Sequence, residues 1–238
     1  NTNFIRIVSR CIMDTKFRII PTEKLSKIFW TIDNSMLGLG MSVLIESEHE
    51  IFQEYQFTPY NKYKKGRIEF LQSVNMGEKI KNDIKELINY IQNRVIKVGI
   101  YAGSFNPYHI GHQDILNKSK KLFDKVIVAF GNNPEKELSE KIYPSSLEFT
   151  ERLSYDGLIT DLLDKVQSQG CDVTLIRGLR NGNDLSYEQN QMSYIYDIRP
   201  DTNIVYIPCD KQYEHISSSG IRNLMKFDTE LAKKYIIE

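Results

Sequence analysis

Two histidines three residues apart, His109 and His112, follow a Gly-Ser turn in the run Val98-Gly-Ile-Tyr-Ala-Gly-Ser-Phe-Asn-Pro-Tyr-His-Ile-Gly-His112. Glycine at position 103, where a short apolar strand ends, lets backbone N–H groups come close to phosphate oxygens, and Ser104 adds a hydroxyl. His112 then falls in the first turn of a helix, whose N–H groups and positive dipole end favour an anion. A neutral or protonated imidazole there can donate a hydrogen bond to phosphate. The bland alternative is a capping or packing histidine. A metal needs a third ligand, and no candidate lies nearby in the sequence.

Three further clusters repeat the pattern of strand, then turn, then charged or hydroxyl side chains. Arg177 and Arg180 flank Gly178 and offer forked donors to phosphate or carboxylate, while Glu188, on the helix that follows with Asp184 and Tyr187, can accept from a ribose hydroxyl or an amine. An Arg–Glu surface ion pair explains the same residues equally well. The run Tyr213-Glu-His-Ile-Ser-Ser-Ser219-Gly-Ile-Arg222 puts consecutive hydroxyls at a helix start, an anion cradle or a plain serine cap. Lys136, after Gly131-Asn-Asn-Pro-Glu, can swing an ammonium over the same cleft. All four clusters fall at the carboxyl ends of expected parallel strands, where open α/β sheets bind their ligands.

The elements that position them alternate between apolar strands and helix-period segments from Lys97 onward, the pattern of βαβ units and a parallel sheet. Strands are expected at Lys97–Tyr101, Lys125–Phe130, Val173–Ile176 and Asn203–Ile207. A crossover helix after the first carries His112, Ile115, Leu116, Ser119, Leu122 and Phe123 on one face, and helices are expected at Leu158–Gln167, Asp184–Asp197 and Ser217–Met225. The fold class is therefore α/β, a Rossmann-like parallel sheet over residues 96–238, behind a small α+β domain over residues 1–95 of unknown role. In that first part a helix capped by Thr22 runs to Trp30, Ser42 to Ile45 reads as a strand, and Glu78–Arg94 carries a helical apolar stripe. Tyr60 to Gly66 reads as a solvated basic and aromatic loop rather than a nucleic-acid grip.

Lysine plus arginine and aspartate plus glutamate number 31 each, which excludes bulk electrostatic attraction to nucleic acid or an anionic membrane. Phosphate affinity must be local. Cys11, Cys171 and Cys209 are odd in number and widely spaced, so no disulfide framework is indicated and a reducing cytoplasm is expected. No segment reaches the roughly 18 apolar residues of a membrane span, and no basic-then-apolar leader opens the sequence.

These residues resemble the nucleotidylyltransferase superfamily, with its H/T-x-G-H and I-S-S-S/T signatures, and within it the phosphopantetheine adenylyltransferases. Tyr101-Ala-Gly-Ser-Phe-Asn-Pro with Gly111-His112 is similar to the Y-P-G-S/T-F-D-P block; Ile176 to Glu188 is similar to the R-G-L-R-x-x-x-D-x-x-Y-E block; Tyr213 to Ser219 matches the third. The resemblance covers about Lys97 to Met225. It implies transfer of AMP from ATP to 4′-phosphopantetheine with release of pyrophosphate, Mg²⁺ carried by ATP, and assembly into a homo-oligomer. It implies that His112 stabilises the transition state with Lys136 and Ser218, that Ser104 and Phe105 lie between ATP and acceptor, and that Lys136 and Arg177 bind the acceptor phosphate. His109, Gly111, Gly178, Leu179, Arg180, Glu188, Tyr213, Ile216, Ser217 and Ser219 would then bind ATP.

The sequence departs from that pattern at His109, where the pantetheine enzymes carry threonine, at Asn106, where they carry aspartate, and at Ile195, where they carry asparagine. The H-x-G-H form and the Ser-Gly-Ile-Arg222 ending are more similar to nicotinamide mononucleotide adenylyltransferases. A cytidylyltransferase and a non-catalytic nucleotide sensor are the remaining alternatives. The family's helix and further strand between Lys136 and Gly157 are replaced by a short stretch, and residues 1–95 have no counterpart.

Overall fold

The computed structural model describes residues 39–74, 78–132 and 143–237, together with 5, 6, 8–10, 24, 27 and 28. Thr22, Trp30, Cys11 and Lys136 lie outside the described residues. The chain divides into two compact units, one of Asn1–Glu54 and Lys62–Arg94, the other of Tyr55–Asn61 and Val95–Glu238. Tyr55–Asn61, inside the stretch read as a separate first domain, thus groups with the sheet.

In the first unit the described residues from position 39 onward form three helices, α1 (Met41–Glu54), α2 (Tyr60–Gln72) and α3 (Glu78–Asn93). Among the described residues before Lys97 there is no strand, so the expected strand at Ser42 to Ile45 is corrected to helix. The reason is periodicity. Leu44, Glu48 and Phe52 recur every fourth residue and form the buried face of α1. The expected loop at Tyr60 to Gly66 is likewise the start of α2. Tyr60 and Tyr63 are buried, and the next turn brings Arg67 to the buried Glu48, which accepts from the Tyr63 hydroxyl at 2.6 Å and pairs with Arg67 at 2.7 Å. Leu44, Leu71, Ile84, Leu87 and Ile91 make the apolar core of this bundle.

Among the described residues the second unit is built on five strands, β1 (Lys97–Gly103), β2 (Lys125–Gly131), β3 (Glu151–Tyr155), β4 (Asp172–Leu179) and β5 (Asn203–Pro208). All neighbours run parallel, in the order β3-β2-β1-β4-β5. Continuous burial from Val98 to Ala102 and from Lys125 to Phe130 is what a parallel sheet covered on both faces requires. The connections carry α4 (Ile110–Ser119), α5 (Ile159–Gln167) and α6 (Gly182–Ile198); α7 (Ser218–Met225) and α8 (Thr229–Lys233) follow β5. α4 buries Ile115, Leu116 and Ser119 but stops there, so Leu122, expected on its inner face, lies beyond the helix and is exposed.

β3 falls between Lys136 and Gly157, where the family's further strand was expected to be replaced, so that expectation is corrected: the strand is present, though no apolar run marks it. Its sequence Glu-Arg-Leu-Ser-Tyr alternates inward and outward, and the inward Glu151 is buried as the 3.0 Å partner of Lys125 rather than solvated.

Candidate active site

β1 ends at Gly103 and the chain turns through Ser104 and Phe105, the latter at φ 45°, a left-handed conformation that a bulky residue adopts only when packing holds it there. Packing does so here. The Phe105 ring is buried edge-on against Tyr101, Phe130 and His112, with centroids 5.0, 5.1 and 4.9 Å away.

His109 is the N-cap of α4, and its imidazole accepts from the His112 N–H at 3.4 Å while the His112 ring accepts from the His109 N–H at 3.3 Å. The two rings stack with centroids 3.5 Å apart. In each ring Nδ1 is the acceptor, which leaves the proton of the neutral imidazole on Nε2. Burial pushes both away from protonation. The His109 imidazole is lowered to about 4 by desolvation and by the Arg180 guanidinium, and His112 lies well below its ordinary value through desolvation, His109 and Arg180. His112 is therefore a neutral N–H donor at pH 7, not an imidazolium. Gly111 permits the stack, since a Cβ there would meet the His109 ring at 3.2 Å.

β4 supplies the opposite wall. Arg180 gives Nε and Nη2 to the two oxygens of Asp184, each at 2.8 Å, and its backbone N–H to the same carboxylate at 3.0 Å. This pairing holds the Asp184 carboxyl below its ordinary range. Asn181 caps α6 by accepting from the Asn183 and Asp184 N–H groups, so Asp184 is rooted in the helix start. Gly178 lets α4 approach β4, because a Cβ would meet Ile115 Cγ1 at 3.0 Å.

The third wall is the start of α7. Ser217 is a true N-cap, its Oγ accepting from the Gly220 N–H at 3.0 Å, while Ser218 Oγ donates to the Pro107 carbonyl at 3.0 Å and Arg222 donates to the Asn106 carbonyl. The serine turn is thus fastened to the loop below the histidines.

Together these walls enclose an open cleft of about 340 Å³. Of the residues singled out from the sequence, His109, Gly111, His112, Gly178, Leu179, Arg180, Glu188, Tyr213, Ile216, Ser217, Ser218 and Ser219 line it. Ser104, Phe105 and Arg177 do not. Phe105 lies beneath His112 as packing, and Arg177 sits 3.0 Å from Glu188 and donates to the Ala102 carbonyl at 3.3 Å, so the Arg–Glu pairing is realised. Its charge is also felt by the Tyr155 hydroxyl of β3, which burial raises and Arg177 lowers. Lys136 is not among the described residues.

The cleft also includes Arg222, expected one turn beyond the serine cradle, Asp184 and Tyr187, named from the sequence only as neighbours of Glu188, and Tyr101, Ile115 and Cys209, which were not assigned to the site. The Arg180–Asp184 spacing of four was the readable signal for one of them. Ile115 and Cys209 carry no such signal, being indistinguishable in sequence from core. Cys171 is buried, and Cys209 is a half-buried free thiol. Among the described residues no group of three histidine, cysteine or acidic side chains is placed to hold a metal, and no helix is long and apolar enough to cross a membrane.

Neutral N–H donors, a guanidinium and two helix starts facing one opening at the carboxyl edge of a parallel sheet define an α/β nucleotide-handling protein. The cytidylyltransferase-like pattern matches residues 100–224, over half of the 238, and the chain belongs to that family. It is a nucleotidyltransferase. A phosphopantetheine adenylyltransferase of Streptococcus pneumoniae (strain CGSP14) is 34% identical over 146 residues, 57% of this chain and 88% of that protein, and that of strain JJA is 33% identical over the same shares. A solved Plasmodium falciparum nicotinic acid mononucleotide adenylyltransferase complexed with NaAD aligns with a TM-score of 0.40 at 20% identity, over 59% of this chain and 90% of that one.

Proposed function

We propose that the chain transfers AMP from Mg-ATP to 4′-phosphopantetheine, giving dephospho-coenzyme A and pyrophosphate. The observation that carries the transfer is the convergence of His112, Arg180 and the Ser217–Ser219 turn on one cleft. The acceptor is supported by the likeness to the streptococcal enzymes. A second reading, nicotinamide mononucleotide as acceptor, is favoured by His109, which replaces the threonine of the pantetheine enzymes. A cytoplasmic, homo-oligomeric enzyme belongs to the same proposal.

The acceptor's phosphate monoester is already an anion, so attack on the α-phosphorus needs no general base. One of its oxygens forms a bond to the α-phosphorus as the bond to the pyrophosphate oxygen breaks, and the electron pair leaves on pyrophosphate. Catalysis reduces to alignment and charge stabilisation. His112 donates its Nε2 proton in a hydrogen bond to an α-phosphate oxygen as charge builds there. Arg180 and the serine turn are assigned to the β- and γ-phosphates, Gly178 and Leu179 to the adenosine, and Glu188, which pairs with Arg177, to a ribose hydroxyl or an amine. The acceptor side is assigned to Ser104, Arg177 and Lys136, Ser104 and Arg177 lying outside the cleft's lining and Arg177 donating from its guanidinium to the β1 carbonyl edge. Mg²⁺ enters as part of the substrate, on ATP's own oxygens.

The test offers Mg-ATP and Mg-CTP with 4′-phosphopantetheine or nicotinamide mononucleotide and identifies products by mass. Dephospho-coenzyme A formed from ATP is expected. NAD as the faster product would move the acceptor to the second reading, and ATP binding without pyrophosphate from any acceptor would overturn catalysis.

A further inference from the structure

The last described residues, Tyr235–Ile237, lie outside the 100–224 family match, and no motif marked them. They pair antiparallel with the turn that carries the first histidine. The Ile110 N–H donates to the Tyr235 carbonyl at 3.0 Å, the Ile237 N–H donates to the Tyr108 carbonyl at 3.3 Å, and His109 faces Ile236 across the bridge. Ile110 is the first residue of α4, so its N–H is one that a helix leaves without an internal partner.

The backbone on either side of His109 is therefore held by this bridging segment. His109 in turn holds His112 twice, through its own N–H to the His112 ring and through its ring to the His112 N–H. Side chains carry the connection further. Tyr235 and Ile236 pack with Ile110, Tyr213, Ile216, Ile221 and Ala232, a small core that joins the histidine turn to the serine turn at α7. Ile237 packs instead on the cluster containing Tyr101, Phe105 and Tyr108.

We propose that Tyr235–Ile237 is a positioning segment for the transfer: by bridging to Tyr108–Ile110 it fixes the His109 backbone and, through it, the direction in which the His112 imidazole donates. The inference rests on the reading of His112 as the transition-state donor. It touches no substrate, so its loss should appear in turnover more than in nucleotide affinity.

Ile237→Pro removes the N–H that bonds Tyr108, and Ile237→Val keeps it. Turnover is measured as pyrophosphate released per ATP-binding site, with sites counted by ATP titration so that unfolded chains do not contribute. The ¹⁵N signals of the His112 ring report its tautomer. Ile237→Pro is expected to lower turnover by about 10- to 100-fold, the range that follows a displacement on the order of an ångström, to leave the ATP dissociation constant within about twofold, and to convert the single Nε2–H signature of His112 into a mixture. Ile237→Val should match the unaltered chain. Unchanged turnover per site with an unchanged His112 signature would overturn the proposal, and so would equal losses in turnover and ATP affinity.

If Ile237→Pro does not fold, Ile236→Ala decides by the same two readouts, with a smaller loss of turnover at unaltered ATP affinity expected and no change contradicting. The imidazole signature requires no acceptor. If the unaltered chain releases no pyrophosphate, the functional reading falls, while the His112 signal still decides the positioning.

Discussion

The His109–His112 stack places two imidazoles where protonation is penalised, and this has a consequence for stability as well as for chemistry. A histidine whose folded pKa is lowered binds its proton more readily in the unfolded chain, so stability is complete above the ordinary value of 6.5 and falls as pH drops toward the value of about 4 reached by His109. Each such imidazole contributes a slope of about 1.4 kcal/mol per pH unit in that window. Melting curves between pH 7 and 4 should show this loss, and His109→Gln should flatten it by about one proton; an unaltered slope would mean that the imidazole is solvated. On the proposed reading, in which the guanidinium holds substrate phosphate before and during transfer, Arg180→Ala should raise the ATP KM more than it lowers kcat, measured by initial rates. At this scale the sequence was informative wherever residue type and strand position coincided, as for His112, Arg180 and the serine turn. It left Arg177 evenly divided between a phosphate donor and an ion pair with Glu188, of which the structure forms the second, and it placed Phe105 at the ligand only by resemblance, whereas tertiary packing turns that ring beneath His112.

At the scale of elements, β1 and β2 were legible because parallel strands buried on both faces read as unbroken apolar runs, and β4 and β5, only partly buried, because Val173–Ile176 and Ile204–Ile207 still form short, mostly apolar stretches. β3 was not, because its one fully inward residue is a carboxylate that pays its desolvation through Lys125. α1 shows the converse error, a short β-branched and leucine-rich stretch mistaken for a strand until the four-residue recurrence of Leu44, Glu48 and Phe52 is followed to its end. The close approach of α4 to β4 gives a prediction that belongs here. Gly178→Ala puts a methyl group 3.0 Å from Ile115 Cγ1, between the helix that bears His112 and the strand that leads to Arg180. It should destabilise by about 1–3 kcal/mol in denaturant unfolding and widen the cleft, with weaker ATP binding; unaltered unfolding would show that α4 can shift freely.

At the scale of the molecule, the sheet unit depends on residues far from it in sequence. Lys125 Nζ is buried and bonds the Gln56 carbonyl and, at 2.9 Å, the Thr58 carbonyl, besides its 3.0 Å contact with Glu151. Nothing in the run Lys125-Val-Ile-Val-Ala-Phe announces this, since a lysine opening a strand ordinarily points to water. Lys125→Met would leave Glu151 buried and unpaired, and should cost about 3–5 kcal/mol in equilibrium unfolding, whereas Lys125→Met with Glu151→Leu should recover most of it. Equal stability of the single variant would remove Lys125 as the anchor of Tyr55–Asn61. For the same reason a fragment beginning at Val95 should melt below the full chain.

The central claim is that one cleft, with a neutral His112 as donor, transfers a nucleotidyl group. Steady-state pyrophosphate release from Mg-ATP and 4′-phosphopantetheine by the unaltered chain and by His112→Ala, in parallel, addresses it most directly. The account predicts acceptor-dependent release that falls by about two to four powers of ten in the variant, with ATP binding retained. Release that His112→Ala leaves at its original rate would contradict it.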